Sequence, residues 1–213
     1  MYRIISDNFM KSRPRTLVIG DSHATHLCGT NLRKIAKRRN RTSYWLGPRL
    51  LFNISRDGFV INPEDTSYLR RQKFARLIII LGEIDIRVHL ANHPSRISNL
   101  EEVCVAYCQA IKALGDTLGI EDVSVVCGPP PSDTGEIDPR FPRRGPLVER
   151  IKVFQRLNEI LEDVVTRKFR EINYVFPWSA IQDSDGSLSK RFTHDGCHVN
   201  TRGANVVRRS LNF

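Results

Sequence analysis

The sequence predicts an α/β fold in which a parallel sheet is wrapped by helices. Short apolar runs alternate with longer amphipathic stretches throughout the chain, and most of the strand-like runs end in or next to Gly, Asp or Pro, where a chain turns away from a sheet. At 213 residues with 40% hydrophobic side chains, the chain is expected to form one domain over residues 1–213 with a substantial core.

Five segments read as strands: Thr16–Gly20, Thr42–Gly47, Ala75–Gly82, Asp122–Gly128 and Ile172–Phe176. "RLIIIL" is apolar on successive residues, which predicts a central strand covered on both faces. Helices are expected at Ala24–Arg39, Ser98–Leu118, Leu147–Phe169 and Thr201–Leu211. In the second of these, Val103, Tyr107, Ala110, Ile111 and Leu114 recur at spacings that make one core-facing stripe, and Gly119 is a natural stop. "GPPPSDTGEIDPRFPRRGP", Gly128 to Pro146, continues neither pattern, because its six prolines break both periodic elements. It predicts a long loop after the fourth strand, either contacting substrate or making a passive surface excursion.

Composition narrows the functional classes. No apolar run reaches the length of a membrane span, and the start "MYRIISDNFMKSRPR" lacks the features of a secretory leader, so a cytoplasmic location is expected. Cys28, Cys104, Cys108, Cys127 and Cys197 are odd in number and form no C-x-x-C, which predicts reduced thiols. Cys104 and Cys108 stand one helical turn apart, yet no second pair has zinc spacing, so a structural role is expected. The net charge of +10 gathers in "RKIAKRRNR", Arg33 to Arg41, read here as a solvated basic helix face. Nucleic acid is not expected, since no aromatic ladder accompanies the charge, but binding of another polyanion is a competing role.

The segment "VIGDSHATH" sets Ser22 directly behind the first strand. A serine hydroxyl becomes nucleophilic only with a base beside it and a third group holding that base. "THDGCHVNTRG" supplies Asp195 and His198 three residues apart, after the last strand and before the terminal helix. The competing reading is that Asp21 or Ser22 merely caps the helix starting near Ala24. His194, with no carboxylate three residues upstream, competes less well for the base, and His23 and His26 lie close to Ser22 in sequence.

"GDSH" at Gly20–His23 and "DGCHVN" at Asp195–Asn200 resemble the first and last blocks of the SGNH hydrolase, or GDSL-type esterase, family. That resemblance implies a three-layer α/β/α sandwich around a flavodoxin-like five-stranded parallel sheet, and acyl transfer from an ester. It implies Ser22 as nucleophile, His198 as base and Asp195 as its orienting partner, with no metal or organic cofactor. The oxyanion would meet the backbone N–H of Ser22 and that of Gly47, or alternatively Gly58. The third block is ordinarily Gly-x-Asn-Asp; in "LGEIDIR" Gly82 and Asp85 fit, while Ile84 stands where Asn belongs.

Loss of one oxyanion donor lowers a rate by about 10²–10³. Arg87, Arg49, His89 and Glu83 are the nearest polar candidates to contact substrate. The stretch "LGEIDIRVHLANH" could also hold a metal, but an ion-pair network on the pocket floor is the expected reading. Cys197 is discounted as a nucleophile because it shares a tight turn with the base, and Trp45 and Trp178 are expected in the core or pocket wall. The expected activity is hydrolysis of an acyl ester, most simply an O-acylated carbohydrate. The alternatives are an O-acyltransferase of polysaccharide assembly and a non-catalytic polyanion-binding module; oligomeric state is open.

Overall fold

A computed structural model describes residues 14–91, 98–136 and 138–212. Six strands form one sheet: β1 (Thr16–Gly20), β2 (Ile35–Arg38), β3 (Arg41–Trp45), β4 (Arg76–Leu81), β5 (Asp122–Cys127) and β6 (Ile172–Tyr174). Their order across the sheet is β2-β3-β1-β4-β5-β6, parallel except for β2, which runs antiparallel to β3 at the edge. Among the described residues six α-helices accompany them: α1 (Ser22–Cys28), α2 (Leu51–Asp57), α3 (Pro63–Arg71), α4 (Leu100–Leu118), α5 (Leu147–Lys168) and α6 (Thr201–Ser210). α4 packs on α2, α3 and α5, while α1 packs on α6, so the sheet lies between two helical layers. The expected α/β/α sandwich is therefore the observed fold.

β4 forms the middle of this structure. Its residues Leu77 to Leu81 are fully buried, as the unbroken apolar run requires of a strand with helices on both faces. The stripe on α4 also faces inward, with Tyr107, Ile111 and Leu114 buried. Gly119 ends that helix at φ +69, a conformation open to glycine without strain.

Two expectations are corrected. The sheet has six strands and one antiparallel edge, not five parallel strands. The helix expected at Ala24–Arg39 stops at Cys28, because Gly29 adopts φ +66 and returns its N–H to the carbonyls of Thr25 and His26. The chain then enters a β-hairpin turning at Arg39 and Asn40, so the basic run is a strand edge and turn instead of a helix face. The short helices α2 and α3 lie outside the expected elements. Among the described residues of Gly128–Pro146 there is no strand, and no helix begins before Leu147.

Chain order is what creates a site. From β1 the chain passes to β3 on one side, while β4 lies on the other, so connections diverge at the carboxyl end of β1 and leave a crevice. Ser22 stands immediately beyond that end.

Candidate active site

β1 and β4 run very close together at Gly20, where an added Cβ would meet the Ile80 carbonyl at 2.1 Å. Asp21 then caps α1, its Oδ1 accepting from the His23 N–H at 2.9 Å. The cap is thus Asp21, and Ser22 occupies the first helical position with its hydroxyl directed elsewhere. Ser22 Oγ lies 2.7 Å from His198 Nε2.

A second turn presents the imidazole. Asp195 Oδ1 accepts from the Cys197 and His198 N–H groups at 2.9 and 2.7 Å, while Oδ2 lies 2.6 Å from His198 Nδ1. Thr193 closes the turn, donating to the His198 carbonyl and accepting from the Gly196 N–H. A proton on Nδ1, facing a carboxylate, leaves Nε2 free to accept from the serine hydroxyl. Burial works against the Asp195 charge, but its hydrogen bonds from His198 outweigh this and hold the carboxyl below the ordinary carboxylate range.

Other histidines surround His198. His26 stacks on it with ring centroids 4.4 Å apart and planes 18° apart, and the His23 and His194 rings lie 5.0 and 6.1 Å away. Burial, followed by the positive charge possible on His198, His23 and His194, brings His26 down to about 3, so it stacks as a neutral ring. His23 is buried, which disfavours its charge; Asp21 and Glu83 reverse that balance and raise it.

Below the hydroxyl lies an ion-pair network. Arg87 Nε and Nη2 donate to the two Glu83 oxygens at 2.5 and 3.0 Å, and Glu83 Oε2 is 3.8 Å from His23 Nε2. Burial opposes the Glu83 charge, yet the His23 hydrogen bond and the Arg87 charge hold it at about 2. Asp85 does a different job: it accepts from the Leu51 and Phe52 N–H groups and so fixes the start of α2. Its burial raises it to about 7 against those bonds.

The proline-rich loop forms a wall of this site. Arg87 Nη1 donates to the Phe141 carbonyl, and the Arg144 N–H donates to the Arg87 carbonyl. Arg143 reaches the carbonyls of Thr134, Gly135 and Asp195, tying the loop to the turn that carries His198. Here the backbones touch: a Cβ on Gly196 would sit 1.6 Å from the Thr134 carbonyl oxygen.

Ser22 and His198 open into a cavity of about 370 Å³. Leu32, Trp45, Pro48 and Ile84 line it, together with Glu136, Asp138, Arg140 and Phe141 of the loop. Glu83, Arg87 and Cys197 also border it. Trp178 is instead in the core, donating to the Cys127 carbonyl.

Not every expected contact is brought to this cavity. Arg49 is exposed and His89 is half-buried, and neither is among the described lining residues. Gly58 caps α2 with its N–H donated to the Ile54 carbonyl, which removes it as an oxyanion donor. Gly47, at φ +80, falls between the lining residues Trp45 and Pro48. The contacts of the loop and the stacking of His26 escape sequence reasoning because their neighbours are remote along the chain; only the prolines of the loop signal an irregular segment. The donor atoms of His194, Asp195 and His198, and those of His23, Cys197 and His198, lie within 4.8 Å of one another. A metal in either trio would have to displace the partners His198 already holds.

No protein-family model matches the chain, and no curated protein matches it in sequence. Solved structures do match it in fold. A GDSL-like lipase from Bacteroides thetaiotaomicron aligns with a TM-score of 0.55 at 13% identity, over 95% of this chain and 87% of that one. A carbohydrate acetylesterase family member from Sinorhizobium meliloti gives 0.51 at 12% identity, over 92% and 95%. A carbohydrate esterase family 3 structure from Talaromyces cellulolyticus gives 0.50 at 12% identity, over 92% and 93%. The chain is similar to these in architecture. Among the described residues, no helix is long and apolar enough to cross a membrane.

Proposed function

We propose that the protein is a serine ester hydrolase in which His198 takes the Ser22 proton as Oγ attacks an acyl carbonyl. The observation that carries this reading is the continuous chain from Ser22 Oγ to His198 Nε2 at 2.7 Å, and from His198 Nδ1 to Asp195 Oδ2 at 2.6 Å, opening on a cavity. Asp195 supports the imidazolium that forms. The Ser22 and Gly47 N–H groups receive the oxyanion, the alcohol leaves with the proton from His198, and water releases the acid from acyl-Ser22 by the same steps reversed.

A cavity of about 370 Å³ suits a short acyl group and part of its alcohol. The carbohydrate esterases among the structural neighbours favour an O-acylated sugar as that alcohol. Trp45 and Phe141 give it apolar surfaces, and Arg140, ion-paired with Asp138, gives it a polar one. A transferase reading is favoured by one residue: Ile84, only 7% exposed on the cavity wall, offers no side-chain donor to the oxyanion. An enzyme that hydrolyses slowly leaves its acyl-serine time to meet an acceptor hydroxyl.

The test is covalent. A fluorophosphonate probe should label Ser22 in the folded protein, with the site located by mass spectrometry, and Ser22→Ala should lose both the label and turnover of p-nitrophenyl acetate. Folded wild-type protein that takes no label would overturn the proposal. Adding an acceptor sugar then separates the two outcomes, since only a transferase forms the acylated acceptor in preference to free acid.

A further inference from the structure

The opposite end of the sheet carries a feature the ester chemistry does not use. Arg38, Arg39 and Arg41 of the β2–β3 hairpin converge with Arg208 and Arg209 of α6 around a concavity of about 970 Å³. Asparagines complete its lining, and no carboxylate is among the described lining residues. Arg41 pairs with Thr16 at the start of β1, whereas Ser22 follows the end of that strand, so the two sites are separated by the strand's length, about 13 Å.

Two of the cations, Arg38 and Arg208, are held by neutral groups. Arg38 Nη1 donates to the Gly29 carbonyl at 2.7 Å, and Arg208 donates to the carbonyls of Leu27 and His26 and to Asn205 Oδ1. Arg39 and Arg209 make no side-chain hydrogen bond or ion pair among the described residues. The carboxyl ends of α1 and α6 bring partial negative charge, worth about half a unit each, which leaves most of the four positive charges of Arg38, Arg39, Arg208 and Arg209 unbalanced. Gathering like charges without a counterion is costly, and an anion removes that cost.

We propose that this concavity binds a small ligand bearing clustered phosphate groups. Guanidinium forks match phosphate oxygens in pairs, and the asparagine amides add neutral donors. No aromatic side chain is among the described lining residues, so nucleic-acid bases find no stacking platform, and recognition falls on the phosphates themselves. The anchored Arg38 and Arg208 form the fixed part of the site, and the unengaged Arg39 and Arg209 close on the ligand.

Inorganic tripolyphosphate is the probe, titrated calorimetrically into the full chain at about 0.15 M salt, where charges more than ~8 Å apart are largely screened. Saturable binding is expected, at least about tenfold weaker in the Arg39→Glu/Arg209→Glu double variant. Ser22→Ala should bind it as wild type does, so failure of the ester reading leaves this result standing. Absence of saturation, equal affinity in the double variant, or equally tight binding of citrate would each overturn the proposal. Circular dichroism establishes that the double variant is folded.

Discussion

The imidazole of His26 lies face to face with that of His198, 4.4 Å between centroids and 18° from parallel. One ring is the proposed base; the other is the surface against which that base is held. Two stacked imidazolium ions would repel, so the arrangement requires His26 to stay neutral while His198 gains its proton.

That requirement has a pH signature. His26 falls to about 3 in the fold from an ordinary 6.5, first through burial and then through the neighbouring histidines. Between those values the unfolded chain binds a proton that the folded chain does not, so stability rises with pH across this window and is lost as pH falls through it. His26→Gln should flatten the dependence by up to about 1.4 kcal/mol per pH unit. Urea midpoints from pH 4 to 7 measure it; identical slopes in both proteins would remove His26 from the account.

Gly196 is expected to tolerate no side chain. It has φ +74, and a Cβ there would lie 1.6 Å from the Thr134 carbonyl, a backbone atom that cannot swing aside. Gly196→Ala should cost about 2–4 kcal/mol and displace the turn holding Asp195 and His198. Gly47→Ala is the control, with φ +80 but nothing within 4 Å of the added carbon. It keeps the N–H and should cost only about 1 kcal/mol. Comparable denaturation midpoints for the two variants would contradict this assignment.

Asp195→Asn tests the orientation of the base. The amide can still accept from the Cys197 and His198 N–H groups, but it no longer offers a carboxylate to Nδ1. Ester turnover should fall by about 10²–10⁴ with little change in KM, because proton transfer is lost while the cavity stays intact. Steady-state kinetics read the split directly.

Sequence reasoning reaches those groups whose role is tied to a strand end or a short turn. Ser22 follows β1 directly, and the Asp195–His198 spacing survives in any tight turn. It overextends α1 because the stop at Gly29 is a single glycine, and the charged run beyond it satisfies a helix face and a hairpin edge equally well. The oxyanion glycine is similarly underdetermined: Gly47 and Gly58 both have positive φ, and only the α2 cap shows that the Gly58 N–H is engaged. Phe141 and Arg87, 54 residues apart, meet only through tertiary packing.

Arg87 ties the loop to the buried Glu83. Its guanidinium neutralises Glu83, whose side chain is 8% exposed, and holds the loop through Phe141. Arg87→Met removes both contacts and leaves a buried carboxylate facing only His23, a loss of about 3–5 kcal/mol. Glu83→Gln/Arg87→Met removes the charge as well as its partner and should lose less than Arg87→Met alone. The pH dependence has the same cause. Glu83 lies at about 2 in the fold against an ordinary 4.5, so its stabilisation is complete above about 4.5 and is lost as pH falls toward 2. Without Arg87 that acid-side loss should shrink, because the folded carboxyl titrates closer to its unfolded value. Urea unfolding of wild type, Arg87→Met and the double variant at pH 7 and pH 4 completes the cycle; a double variant as unstable as Arg87→Met would mean that Arg87 acts through the loop alone.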